Sequence, residues 1–293
     1  MERKIFQYAE EKLRPVFGSG FRLERTEPIG GGCISHTLKI KTTHGHFFLK
    51  WNPSCAGDLF VREGECLAEL KKHGGNDLLI PEVILSNEAD ELPGFILMEY
   101  LEPGHTLKQD EKLGRGLALL HQSVGEQFGF HHHNYCGSTP QLNSECSSWL
   151  DFFRENRLKY ILQLIKRQRP LPADEQTVYD KLIESLPEFL PETSAPALIH
   201  GDLWSGNYLY TTSGPALIDP ASYYADREME LSIMTLFGGF SQTTWDAYQE
   251  TFPLEKGWQE RVQLYQLYHI LNHYYLFGGS YGRQALTVAR KFI

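Results

Sequence analysis

The sequence predicts an α+β fold of two lobes, a small β-rich N-terminal lobe and a larger, mostly helical C-terminal lobe. Three observations point there. Runs rich in β-branched and aromatic residues crowd the first hundred positions and are punctuated by glycine turns. Past Leu101-Glu-Pro-Gly104 the apolar spacing becomes helical, which divides the chain into 1–101 and 102–293. A chain of 293 residues with 41% hydrophobic and 22% charged content can bury a core of the required size.

The elements follow in order. A helix over 3–17 ends at Gly18-Ser19-Gly20. Strands are expected at 21–29, 34–41 and 46–51, the first two joined by Gly30-Gly31-Gly32 and the last two by a turn containing His44-Gly45. A helix over 58–72 places Phe60, Glu63, Leu67 and Leu70 on one stripe. Strands at 82–86 and 94–100 complete the first lobe. Helices are then expected at 107–122, 146–168, 174–189, 228–239, 243–250 and 258–277, with short strands at 197–199 and 208–210. The tyrosines and phenylalanines of the last helix recur at helical spacing and read as core.

Bulk properties narrow the function. A net charge of -9 and a pI near 5.7 argue against a nucleic-acid or anionic-membrane partner. No apolar run approaches the ~20 residues of a membrane span, and the charged start Met-Glu-Arg-Lys lacks a signal-peptide core. Five scattered cysteines do not form a disulfide framework, so a reducing cytoplasm is expected.

The chemistry concentrates in Leu198-Ile-His-Gly-Asp-Leu-Trp-Ser-Gly-Asn207, followed by Leu217-Ile-Asp-Pro220. His-Gly-Asp alone reads as a surface turn. With Asn207 and Asp219 at matching offsets it reads as a phosphoryl-transfer loop: Asp202 as the base for an attacking hydroxyl, Asn207 and Asp219 as ligands of Mg2+ on ATP. Hard oxygen donors suit that ion. Lys50 ends the third strand on the same face as Phe48, where an ammonium can meet phosphates beneath an apolar lid. Its carboxylate partner is Glu63, on the inward stripe of the following helix, or Glu65, which lies off it. Gly30, Gly31 and Gly32 let backbone approach phosphates, although the full G-x-G-x-x-G spacing is absent. Cys33 beside them is either a packed residue or an exposed thiol whose oxidation obstructs the phosphate loop or couples two chains. Met98, Glu99, Tyr100 and Leu101 fall where the lobes join, and backbone groups of Glu99 and Leu101 are candidates to bind adenine. His131-His132-His133 reads as a polar loop, because three consecutive side chains diverge and no other metal-ligand spacing accompanies them.

His200-Gly-Asp-Leu-Trp-Ser-Gly-Asn207 resembles the signature of the fructosamine kinase (ketosamine-3-kinase) family, relatives of the aminoglycoside and choline phosphotransferases. The resemblance extends to Gly32-Cys-Ile-Ser35, Phe128-Gly-Phe130, Cys136-Gly137 with Pro140-Gln141 and Asn143, Tyr223-Tyr224, Asp226-Arg-Glu228, Phe237-Gly-Gly239 and Leu276-Phe-Gly-Gly279. It spans almost the whole chain. It implies a bilobal protein-kinase-like fold and transfer of the ATP γ-phosphoryl group to the 3-hydroxyl of a sugar–amine adduct. The labile 3-phosphate then falls apart and frees the amine, a deglycation repair. Under this resemblance Trp204, Tyr223, Asp226 and Arg227 shape the sugar site, although Trp204 could equally plug the catalytic loop. The expected partner is a free or protein-bound sugar–amine adduct, and the expected state is a monomer, with a Cys33-linked dimer as the alternative. Gly201 replaces the arginine of protein kinases, Asp219 precedes Pro220 rather than Phe-Gly, and no Ala-Pro-Glu follows. Those departures favour a small substrate over a regulated protein kinase. Competing readings are a kinase of another small alcohol, such as an aminoglycoside or choline-like compound, and a nucleotide-binding regulator without catalysis.

Overall fold

The structure, a computed structural model, describes residues 2–30, 35–87 and 92–293. Its N-terminal lobe is a five-stranded antiparallel sheet in the order β1-β2-β3-β5-β4, made of Leu23–Pro28, His36–Thr42, Gly45–Asn52, Gly94–Glu99 and Val83–Asn87. Helix α1 (Glu2–Phe17) covers one face. Its Ile5 and Leu13 pack with Phe47, Leu49 and Trp51, the inward alternation of β3. The opposite alternation, Phe48 and Lys50, faces α2 (Leu59–His73) and the cleft. The α2 stripe is as expected, with Phe60, Glu63, Leu67 and Leu70 all buried.

The C-terminal lobe is mostly helical. It contains α3 (Gln109–His121), α4 (Trp149–Phe152), α5 (Tyr160–Gln168), α6 (Ala173–Phe189), α7 (Glu228–Phe237), α8 (Gln242–Thr251), α9 (Trp258–Phe277) and α10 (Ser280–Ala289). The run expected as one helix over 146–168 is broken by a π-helical turn at Phe153–Lys159 between α4 and α5. Helix α10 and the hairpin of β6 (Asn134–Cys136) and β7 (Thr139–Gln141) are elements that the sequence pattern does not announce. Short strands frame the motif loop. Strand β8 (Ala197–Ile199) pairs with β11 (Tyr223–Ala225), and β9 (Tyr208–Tyr210) pairs with β10 (Pro215–Leu217).

The lobes meet along α2. The Tyr135 hydroxyl donates to Asp58 at 2.6 Å, the Tyr224 hydroxyl to Glu69 at 3.0 Å, and Leu79 bridges Ala216 of β10. The helix that carries Glu63 is therefore gripped by both lobes.

Candidate active site

The loop after β8 is held from below by Glu230, a fully buried carboxylate on α7. It accepts from the backbone N–H of His200 at 2.5 Å and of Gly201 at 3.0 Å. Burial works against its charge, but the His121 imidazole 3.6 Å away and the nearby His200 hold its pKa below the ordinary value. His200 supplies the second fixture. Its Nε2 lies 2.8 Å from the Ile218 carbonyl, so that nitrogen carries the proton, and its Nδ1 accepts from the Asp202 N–H at 3.3 Å. One neutral imidazole thus ties the Asp202 loop to the strand that delivers Asp219. Gly201 has φ +86°, and a Cβ there would lie 2.1 Å from the Ala221 carbonyl oxygen. Only glycine fits this approach.

Asp202, Asn207, Asp219 and Lys50 come together, Asn207 bonded to Asp202 and Lys50 paired with Asp219. The Asn207 amide donates to the Asp202 carbonyl at 2.8 Å and its carboxylate at 3.2 Å. That commits its nitrogen and makes Oδ1 the atom it can offer a cation. Asp219 occupies the left-handed region at φ 55° with its side chain 40% exposed, an unusual conformation that a short polar residue tolerates. Lys50 Nζ lies 2.9 Å from Asp219 and 3.0 Å from Glu63. Burial pulls the ammonium down, but Asp219 and Glu63 outweigh it and hold the pKa above normal. Glu65 does not compete for Lys50, since both its oxygens take Arg62 at 3.1 and 2.9 Å. Burial, and then the charges of Asp219 and Glu230, push Asp202 up to about 8, against the bond from Asn207 and the nearby Cys136 thiol.

Among the other expected groups, Gly30 is exposed at the end of β1, whereas Gly31, Gly32 and Cys33 lie outside the described residues. Met98 is buried, and Tyr100 stacks under Lys39 with Nζ 4.1 Å from the ring centre. The Glu99 N–H already donates to the Glu82 carbonyl at 2.8 Å, so that group of the expected adenine contact is spent within the lobe. Leu101 follows, half-buried, before residues 102–104 lie against the β9 end.

Three of the sugar-site expectations need correction. Tyr223 is wholly buried, its ring 3.9 Å from the Arg157 guanidinium carbon. Asp226 is buried too and accepts from the Glu228 N–H at 2.8 Å and the Tyr265 hydroxyl at 3.2 Å. Arg227 donates to the Phe252 and Pro253 carbonyls at 2.9 and 2.5 Å, at the end of α8. Asp226 and Arg227 are taken up at the ends of α7 and α8, and the Tyr223 ring by packing that leaves its buried hydroxyl without a partner among the described residues. Trp204 stays at the loop. Its indole covers Gly206, whose added Cβ would meet it at 2.2 Å, and it meets Phe237 edge-on. Two unexpected residues flank Asp202 instead. Cys136 of β6 and His269 of α9 each place a ligand atom within 4.8 Å of its carboxylate. Burial, with Asp202 nearby, keeps the Cys136 thiol protonated. Nothing in the sequence spacing links 136, 202 and 269.

The donor set suits a metal–nucleotide. An amide oxygen and an exposed carboxylate are hard ligands, and a lysine already held between two carboxylates can turn to phosphate oxygens without leaving the cleft.

Comparison with known proteins agrees with this chemistry. The family model described as Fructosamine kinase matches residues 5–293. A protein of Vibrio parahaemolyticus named a probable ketoamine kinase is 39% identical over 294 residues, covering 99% of this chain and 99% of its own. The chloroplastic protein-ribulosamine 3-kinase of Oryza sativa subsp. indica is 36% identical over 286 residues, covering 94% of this chain and 81% of its own. The crystal structure of a candidate fructosamine-3-kinase from Haemophilus somnus superposes with a TM-score of 0.84 at 26% identity, covering 97% of this chain and 96% of its own. With a match that runs from residue 5 to 293, the chain belongs to the fructosamine kinase family.

Proposed function

We propose that this protein transfers the γ-phosphoryl group of ATP to the 3-hydroxyl of a ketosamine, the product falling apart to free the amine. The observation that carries the reading is the convergence of Asp202, Asn207, Asp219 and Lys50 in one cleft of a fructosamine kinase family chain. ATP with Mg2+ supplies the phosphoryl group in charge-neutralised form. Asn207 Oδ1 and the Asp219 carboxylate would hold the metal. Lys50, kept charged by Glu63, would bind phosphate oxygens, and Asp202 would accept the hydroxyl proton. Trp204, two residues beyond Asp202 in the loop, would bound the sugar.

Several finer assignments follow. The lobe boundary falls at 101/102, because the sheet ends at Glu99 and the Gly104 N–H already bonds the Tyr210 carbonyl. The monomer is proposed as the working unit, since one chain supplies Lys50, Asp202, Asn207 and Asp219. Cys66 and Cys136 are buried free thiols, which fits a reducing cytoplasm. Release of protein amines would make the activity a repair reaction.

An ATP-consumption assay over ribulosamines, fructosamines, aminoglycosides and amino alcohols tests the substrate class. Turnover is expected with a ketosamine and Mg2+; turnover confined to aminoglycosides or amino alcohols would refute the reading. In Asp202→Asn, turnover should fall at least ~10²-fold with ATP binding retained. Near-native turnover there would remove Asp202 as the base.

A further inference from the structure

A second cluster lies on the side of α2 away from Lys50. His131 and His132 follow Phe130, a buried residue whose ring lies 4.0 Å from the His131 ring. His133 does diverge, its Nδ1 accepting from the Asn143 N–H at 3.0 Å. His131 and His132 do not. Their ring centres are 4.7 Å apart, and Glu65 reaches them from α2, its Oε2 3.5 Å from His132 Nδ1. One ligand atom from each of Glu65, His131 and His132 lies within 4.8 Å of the others. We propose that these three side chains bind a divalent transition metal of the zinc class and so join α2 to the C-terminal lobe.

Two imidazoles and a carboxylate, with an open fourth position for water, form a donor set that zinc accepts. Bonds of ~2.0–2.1 Å in a tetrahedron put donors roughly 3.4 Å apart, so the three must draw together by about an ångström. They can, because the His132 side chain is 45% exposed and Glu65 30% exposed. The backbone needs no ordering. The Phe130 N–H is held by the Asn143 carbonyl at 3.0 Å, and the His132 carbonyl accepts from the Asn143 amide at 3.1 Å. A cavity of about 800 Å³, lined by Asp58, Arg62, His131, His132 and Tyr135 among others but not by Glu65, opens beside the two imidazoles.

The resident competitor is Arg62. It donates to both Glu65 oxygens but also to Asp58 at 2.8 Å, so it keeps a carboxylate when a metal takes Glu65. Burial and the neighbouring His132 lower the His131 pKa. Glu69 and Lys72 stand nearby with opposite charges. Coordination at Glu65 would fix the turn of α2 that carries Glu63.

The test needs no sugar substrate and is independent of the ketosamine reading. Chelator-treated full-length protein is titrated with zinc chloride by calorimetry without nucleotide, and with Co2+ by visible absorption. One ion is expected at this cluster. His131→Ala, His132→Ala and Glu65→Gln should each weaken zinc binding at least ~10-fold, while His46→Ala, at the exposed start of β3, leaves it unchanged. Far-UV circular dichroism checks that each variant is folded. No uptake by wild type, wild-type affinity in both histidine variants, or loss of uptake only in Cys136→Ser, which reports the cluster beside Asp202, would each overturn the proposal.

Discussion

Gly201 has no room for a side chain, and that single fact shapes the catalytic loop. In Gly201→Ala the new Cβ would press on the Ala221 carbonyl oxygen and strain a positive φ. The expected cost is about 1–3 kcal/mol, read as a lower denaturant midpoint, with turnover reduced further because Asp202 follows directly. Glu230→Gln should act on the same loop from below. Replacing one carboxylate oxygen with an amide nitrogen faces a donor against a backbone N–H, either that of His200 or that of Gly201. Stability should fall by about 1–3 kcal/mol, and a variant as stable and active as wild type would show that the loop holds itself. The sequence exposes these two residues unequally. Gly201 stands out as a departure from the kinase arginine, yet its reason, a carbonyl from twenty residues on, is invisible in the chain. Glu230 carries one faint signal, a carboxylate inside the apolar run Met229 to Met234.

At the scale of elements, legibility follows length and periodicity. Helix α2 repeats its apolar stripe over about three turns, so the spacing of residues alone conveys both its span and the inward Glu63. The hairpin β6–β7 has two strands of three residues with buried polar side chains, Asn134, Thr139 and Gln141, and offers no alternation to detect. The π-helical turn at 153–159 is equally hidden, since its reason is tertiary. It carries Arg157, a fully buried cation that donates to the Leu142 carbonyl at 2.5 Å and to Asn143 Oδ1 at 2.8 Å, beneath the Tyr223 ring. In Arg157→Met the volume is nearly kept but both acceptors are orphaned. We expect a loss of about 1–3 kcal/mol for each, measured by urea unfolding. A change under about 1 kcal/mol would mean that water replaces the guanidinium. The three histidines after Phe130 teach the converse. Their divergence holds for His133 alone, because the register set by Asn143 turns the other two toward α2.

For the whole molecule, buried histidines set how stability responds to acid. His269 is buried, and burial, then the charges of His273 and Arg157, lower its pKa to about 3. The unfolded chain, titrating near ~6.5, binds a proton that the folded chain refuses, so this group's contribution falls as pH drops below about 6.5. Between pH 7.5 and 5.5 the loss is about 1.4 kcal/mol. Glu63 and Asp226, raised to about 7 and 6 chiefly by burial, act with the opposite sign and gain stability on acidification. The informative measurement is therefore the difference between wild type and His269→Phe. The variant should lose less stability over that interval; parallel curves would contradict the assignment. What the sequence determined by itself was the order of lobes, the α2 stripe and the residues proposed for phosphoryl transfer, because each rests on local spacing or on a motif that is contiguous in the chain. Only the folded molecule decided what surrounds Asp202, why Gly201 is required, and which of Tyr223, Asp226, Arg227 and Trp204 stays at the catalytic loop. Those answers depend on contacts between segments far apart in the chain, and side-chain direction across such distances is fixed by packing rather than by any local preference.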